Sequence, residues 1–182
     1  MVGEKMDMAA PIEFSEWYAA EYSRLVVLLA LSTGSREVGE DAAAEAFARA
    51  YEKWDRVRRM ATPTGWTYTV GLNVARRKMR RTSLERALLR QQKPADFTTS
   101  PPDLSELKEA VMDLPNRQRT AVLLRYYADL PESEIANIMK VSLGTTAKTL
   151  HVARKRLEAR LTSIDATVGV DTSTANTDQE IE

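Results

Sequence analysis

The chain has no cysteine and one histidine in 182 residues. The first absence excludes disulfides, thiol nucleophiles and every zinc site built on thiolates. The second argues against a histidine-based metal site, because His151 stands alone. No phosphate-binding glycine loop, nucleophile–base pair or metal-ligand cluster is present. No cofactor, no metal and no catalytic residues are therefore expected, and an enzyme is the weakest reading. No window reaches the ~20 apolar residues of a membrane span. The first residues, MVGEKMDMAAPIEF, lack the apolar run of a signal peptide, so a cytoplasmic location is expected. Net charge is missing too, since 26 Lys and Arg balance 26 Asp and Glu. By itself that argues against a nucleic-acid binder. The charges are segregated, however. Arg56 to Leu84 holds eight basic residues and no acidic one, and Ser163 to Glu182 holds five acidic residues and no basic one. A nucleic-acid footprint is a local patch, so the total is a poor guide.

There is no strand pattern and no repeat of fixed period, and the apolar residues recur at helical spacing. The expected fold is all-α: two small helical domains joined by a flexible linker, the second a helix-turn-helix. Phe14, Trp17, Tyr18, Leu25, Leu28 and Leu29 mark a first helix over 14–31. Ser32-Thr33-Gly34-Ser35 ends it and supplies a cap for the next. The alanine-rich run from Glu37 to Trp54 buries Ala43, Phe47, Ala50 and Trp54, with Glu37, Asp41, Glu45 and Glu52 on or near the other side. Pro63 suits the first turn of a third helix over 64–81. Its early half is apolar on more than one side, and its late half carries five cations in six residues, from Arg76 to Arg81. Such a cluster repels itself, which favours a polyanionic partner.

Residues 83–102 read as a linker, with 83–92 a frayed helical extension and three prolines in KPADFTTSPP. A helix follows over 103–112 and another over 117–127. Next comes a helix with Glu134, Ile135, Ala136 and Met139, a turn at Lys140-Val141, and a longer basic helix capped by Ser142. On that helix Thr146, Leu150, Ala153, Leu157 and Leu161 form a buried stripe, while Thr145, Lys148, His151, Lys155 and Arg156 face outward. A helix with these two faces is suited to a major groove. The tail from 163 to 182 is polar, acidic and unpatterned, and disorder is expected there.

Three stretches together resemble the extracytoplasmic-function group of the sigma-70 family of bacterial RNA polymerase sigma factors. They are GEDAAAEAFARAYEKW (39–54), GWTYTVGLNVARRKMRR (65–81) and LPNRQRTAVLLRYYADLPESEIANIMKVSLGTTAKTLHVARKRL (114–157). Their order and spacing carry the resemblance, since a helix-turn-helix alone occurs in many regulators. It implies a region 2 over 14–82, which docks on core polymerase and recognises and melts the −10 element, and a region 4 over 103–162, which reads the −35 element. Asp41 and Glu45 fall at positions that dock on the clamp helices of the polymerase's largest subunit. Arg58, Arg59, Trp66, Asn73, Arg76, Arg77 and Arg80 fall to the −10 DNA, where a base is held out of the stack by stacking and edge contacts. Thr145, Lys148, Thr149, His151 and Lys155 fall to the −35 DNA. The implied partners are core RNA polymerase, through its clamp helices and flap, promoter DNA and a possible anti-sigma factor.

The sequence departs from the family pattern at five places. Ala44 stands where the docking face often has glutamine. Lys140 replaces the glycine usual in the turn, and Thr146 replaces a core valine. Ala147 and Val152 stand where basic residues usually touch −35 DNA. Each such contact, if made to a base edge, is worth about 1–3 kcal/mol, so weak or atypical −35 reading is expected. The main rival is a free-standing helix-turn-helix regulator, which leaves the acids at 41 and 45 and the cations at 76–81 without a task. Trp17 and Trp54 read as core. Trp66, Tyr126 and Tyr127 each admit both a packing and a binding role, and His151 is either a groove contact or a partly exposed helix residue with no special task.

Overall fold

The computed structural model describes residues 13–89 and 102–171, with side chains described over 13–81 and 106–162. The chain divides into two compact units, 1–94 and 95–182. Among the described residues every regular element is helical, in line with the all-α expectation.

In the first unit, α1 (Phe14–Thr33) is followed by α2 (Arg36–Glu52), the short α3 (Trp54–Val57) and α4 (Pro63–Leu89). The link from α1 to α2 is only two residues long because each has a defined task. Gly34 takes the left-handed conformation at φ 72° and returns its N–H to the Ala30 carbonyl at 2.9 Å. The Ser35 hydroxyl then accepts from Val38 N–H at 3.3 Å and starts α2. So tight a hairpin presses α2 onto α1 at Gly39, where an added Cβ would lie 2.6 Å from the Ala30 nitrogen. Alanines 42, 43, 46 and 50 keep that face of α2 shallow. Leu25, Leu28, Leu29, Phe47, Tyr68, Leu72 and Val74 fill the space between α1, α2 and α4.

An aromatic cluster closes the other end. Trp17 stacks on Trp54 with ring centroids 4.9 Å apart and also meets Phe47 at 4.9 Å, while Phe14 meets Trp54 edge-on at 5.2 Å. Trp54 thus packs from α3 rather than from the end of α2, which stops at Glu52. Having used its indole ring on Trp54, Trp17 donates its Nε1–H to Thr64 Oγ1 at 3.3 Å. Both ends of the segment between α3 and α4 are thereby fixed to α1. Pro63 is the first residue of α4, as its lack of an N–H favours. The helix continues to Leu89, past the Arg81 expected from the pattern, and residues 90–101 of the expected linker lie outside the described residues.

The second unit holds α5 (Pro102–Met112), α6 (Asn116–Val122), α7 (Glu132–Met139) and α8 (Leu143–Asp171). Arg119 of α6 reaches back to the carbonyls of Met112 and, at 3.1 Å, Leu114, and so closes the open end of α5. Burial pushes this guanidinium down from its ordinary pKa, with Asp113 opposing. The helix expected over 117–127 changes winding at its end: Leu123–Tyr127 is a π-helical turn. That turn keeps Leu123 and Leu124 in the core and leaves Tyr126 and Tyr127 exposed, so neither tyrosine is a core residue.

The helix-turn-helix follows its expected outline. Ile135, Ala136, Ile138 and Met139 of α7 are buried, as are Thr146, Leu150 and Ala153 of α8. Ser142 Oγ accepts from the Thr145 N–H at 3.2 Å, which is the anticipated cap. Thr146 keeps its buried hydroxyl satisfied by donating to the Ser142 carbonyl at 3.3 Å. The helix does not stop at Thr162 but runs to Asp171, so the disorder expected from 163 onward is corrected over 163–171. Extending an existing helix needs no new nucleus, and weak patterning suffices for it. Residues 172–182 of the expected tail lie outside the described residues.

Lys140 ends α7 in the left-handed conformation, at φ 56° and ψ 51°. That conformation costs a non-glycine residue about 1–2 kcal/mol, partly offset on substitution by glycine's greater freedom when unfolded. Lys140→Gly should therefore stabilise the second unit by ~0.5–1 kcal/mol. Hydrogen exchange of the α7 and α8 amides is the suitable measurement, and exchange no slower than in the parent protein would count against strain at this turn.

Candidate functional site

In the first unit two helix faces of opposite charge lie side by side. Asn73, Arg76, Arg77 and Arg80 stand at steps of three and four along α4, which places them on one face, and all four are exposed. Asp41 and Glu45 are one turn apart on α2. Across the groove between the helices, Lys78 Nζ meets Asp41 Oδ2 at 2.6 Å and Arg77 Nη2 meets Glu45 Oε1 at 2.8 Å. Arg49 also pairs with Glu45. The two expected binding faces are thus electrostatically joined. Lys78, absent from the expected site, is half of one link, and no sequence pattern pairs residues 37 positions apart.

Arg58 and Arg59 open the segment before Pro63 and differ in state. Arg58 is half-buried, with Nη2 on Asp55 Oδ1 at 2.8 Å and its Nε shielded from solvent. Arg59 is exposed. Trp66 is half-buried near the start of α4. Just before this segment, Tyr51 is 67% exposed and lines a shallow concavity with Glu52, Lys53, Trp54, Asp55 and Arg56. An exposed aromatic of this kind is suited to stacking on a base of a single strand. Sequence reasoning missed Tyr51, because its step along α2 is that of the aromatic cluster. It touches Phe14 at 4.9 Å yet stays mostly open.

In the second unit, Thr145, Lys148 and Thr149 share an open concavity of about 610 Å³ with Gly144 and Val152 of the same helix and with its cap, Ser142. Gln118 of α6 forms part of its wall, and its Oε1 accepts from Arg156 Nη1 at 3.1 Å. His151 and Lys155 are exposed on α8 but do not line this concavity. Gln118 was not expected at the site, and Val152 was expected there only as the loss of a basic contact. Gln118 reaches it only through tertiary packing, 38 residues from its partner. Among the described residues no group of three or more metal-capable side chains occurs.

Residues 18–85 match Sigma-70 region 2, and residues 104–157 match Sigma-70, region 4. The two matches cover most of both units, in the order that the family has them. The chain belongs to the sigma-70 family of sigma factors, in its extracytoplasmic-function group. The ECF RNA polymerase sigma factor SigW of Bacillus subtilis (strain 168) is 25% identical over 148 residues, 70% of this chain and 78% of its own length. The RNA polymerase sigma-E factor of Streptomyces coelicolor is 26% identical over 161 residues, 87% of this chain and 91% of its own. Among solved structures, the sigma factor RpoE of Bartonella quintana, in complex with the anti-sigma factor NepR, superposes with a TM-score of 0.70. Identity there is 20%, over 82% of this chain and 96% of that one. CnrH, in complex with the cytosolic domain of CnrY, gives 0.60 at 18% identity, over 82% and 88%. At such identities the likeness is one of fold. As a sigma factor, the protein is a promoter-recognising subunit of RNA polymerase. No helix among its described residues is long and apolar enough to cross a membrane.

Proposed function

We propose that this sigma factor holds core RNA polymerase through Asp41 and Glu45 of α2 and the −10 strand through α4 and the segment before it. One observation carries the division of labour: an acidic face of α2 and a cationic face of α4 adjoin in one compact unit. Asp41 and Glu45 dock on the clamp helices. Asn73, Arg76, Arg77 and Arg80 track the non-template strand backbone, while Arg58, Arg59 and Trp66 border the pocket for a captured base. In the second unit Thr145, Lys148 and Thr149 face the −35 major groove, and His151 and Lys155 stand toward its walls and phosphates. The exposed Tyr126 and Tyr127 form a surface for the polymerase flap. Domain limits of 14–82 and 103–162 follow from these assignments. The protein works in the cytoplasm without a catalytic step of its own, and an anti-sigma factor is a further partner, as for the Bartonella protein.

Reconstitution with core polymerase tests this reading. A run-off transcript from a matched promoter is expected only when both protein and core enzyme are present. DNA binding that is indifferent to core enzyme, with no transcript, would instead identify a free-standing regulator.

A further inference from the structure

The concavity on α8 is poor in groups able to read a base by paired hydrogen bonds. Bidentate reading of guanine needs arginine or lysine, and of adenine needs asparagine or glutamine. On the α8 wall of the concavity Lys148 is the one residue of these types. The hydroxyls there are largely committed within the protein. Thr149 Oγ1 donates its proton to the Thr145 carbonyl at 2.7 Å. Ser142 Oγ and Thr145 Oγ1 bond to each other at 2.8 Å, which consumes one of their two protons. On the opposite wall the Gln118 carbonyl oxygen is occupied by Arg156. What remains is the acceptor lone pairs of these hydroxyls, the Gln118 amide NH2, and an apolar surface of methyls: those of Val152 and the Cγ2 of Thr145 and Thr149. Gly144 adds open space, with nothing within 4 Å of where a Cβ would stand, so a base edge can approach the helix closely.

We infer that α8 reads its DNA element mainly through thymine C5-methyl groups, packed against Val152, Thr145 and Thr149, with Lys148 as a single-point donor. The thymine methyl is the one apolar feature of the major groove, and it is the feature this surface matches. Val152 is then a specificity-determining residue rather than a lost basic contact. The inference rests on the placement of α8 in the −35 major groove.

The test uses the full chain bound to core polymerase and a duplex library with a fixed −10 element and a randomised upstream segment. Selected duplexes are expected to hold thymine at one or more fixed positions. Replacing such a thymine by uracil removes only the methyl, and should weaken binding about fourfold for each methyl packed. In the Val152→Ala protein the thymine-to-uracil ratio should move toward one. Selected elements without thymine, or uracil duplexes bound as tightly as the parent, would overturn the methyl reading while leaving the −35 assignment intact. Holoenzyme binding with no upstream preference at all would overturn both.

Discussion

Gly39→Ala should cost the first unit about 3 kcal/mol, a large fraction of the ~5–15 kcal/mol that stabilises a domain. The new methyl carbon would lie 2.6, 2.8 and 2.9 Å from the N, Cα and Cβ of Ala30. Those atoms belong to the backbone of α1 and the base of its side chain, so no rotamer change relieves the clash. The helices must part, and the alanine-lined seam that Gly39 begins would open with them. Urea unfolding followed by tryptophan fluorescence isolates this unit, because Trp17, Trp54 and Trp66 all lie within it. Gly71→Ala is the companion variant. Its Cβ would meet the ends of the Leu29 and Leu25 side chains, the nearest at 3.0 Å, and these can turn aside. A cost below ~1 kcal/mol is expected there. Equal costs at the two positions would show that helix separation, rather than general tightness, is the wrong account.

Asp41→Ala combined with Glu45→Ala should move two affinities in opposite directions. Affinity for core polymerase should fall at least ~30-fold, since truncating one side of a desolvated charge pair costs about 2–5 kcal/mol. Affinity of the free protein for single-stranded DNA should rise, because Arg77 and Lys78 lose their intramolecular partners. Two added phosphate contacts at ~0.7 each would steepen the salt dependence by about 1.4. The fold should persist, as exposed ion pairs contribute ~0–1 kcal/mol apiece. Fluorescence titration against core enzyme and against a labelled strand reads both arms. Unchanged core affinity would remove Asp41 and Glu45 from the docking face. A salt slope that stays the same would mean that the α4 cations do not gain strand contacts when released.

What the sequence disclosed was local. Ser142 as a cap and the stripe of Thr146, Leu150 and Ala153 depend on residues within two turns and are found as expected, while Leu157 and Leu161, further along the same stripe, are half-buried. The Gly34-Ser35 junction was legible for the same reason. Helix ends were less so. The continuation of α8 past Thr162 and of α4 past Arg81 depends on propagation from an ordered helix, which leaves little trace in the apolar pattern. The π-helical turn at Leu123–Tyr127 shifts the helical period, so Tyr126 and Tyr127 could not be sorted by spacing. The wiring around the candidate residues was not legible. Arg77 with Glu45, Lys78 with Asp41, and Gln118 with Arg156 are joined across 32, 37 and 38 positions, where no short-range rule applies.

The ion pairs between α2 and α4 also bear on how the protein is shared out in a cell. A chromosome presents about 10⁶–10⁹ non-specific sites, all competing for any exposed run of cations. With Arg77 and Lys78 turned onto Glu45 and Asp41, the free subunit offers that reservoir a smaller charge than its Arg76–Arg81 cluster implies. Under the proposed docking, polymerase takes up the same carboxylates and returns the cations to solvent. Chromosomal DNA then competes least for the subunit while it is free, and promoter DNA attracts it most once polymerase is bound. The ordering of assembly before promoter search is thereby written into two pairs of side chains.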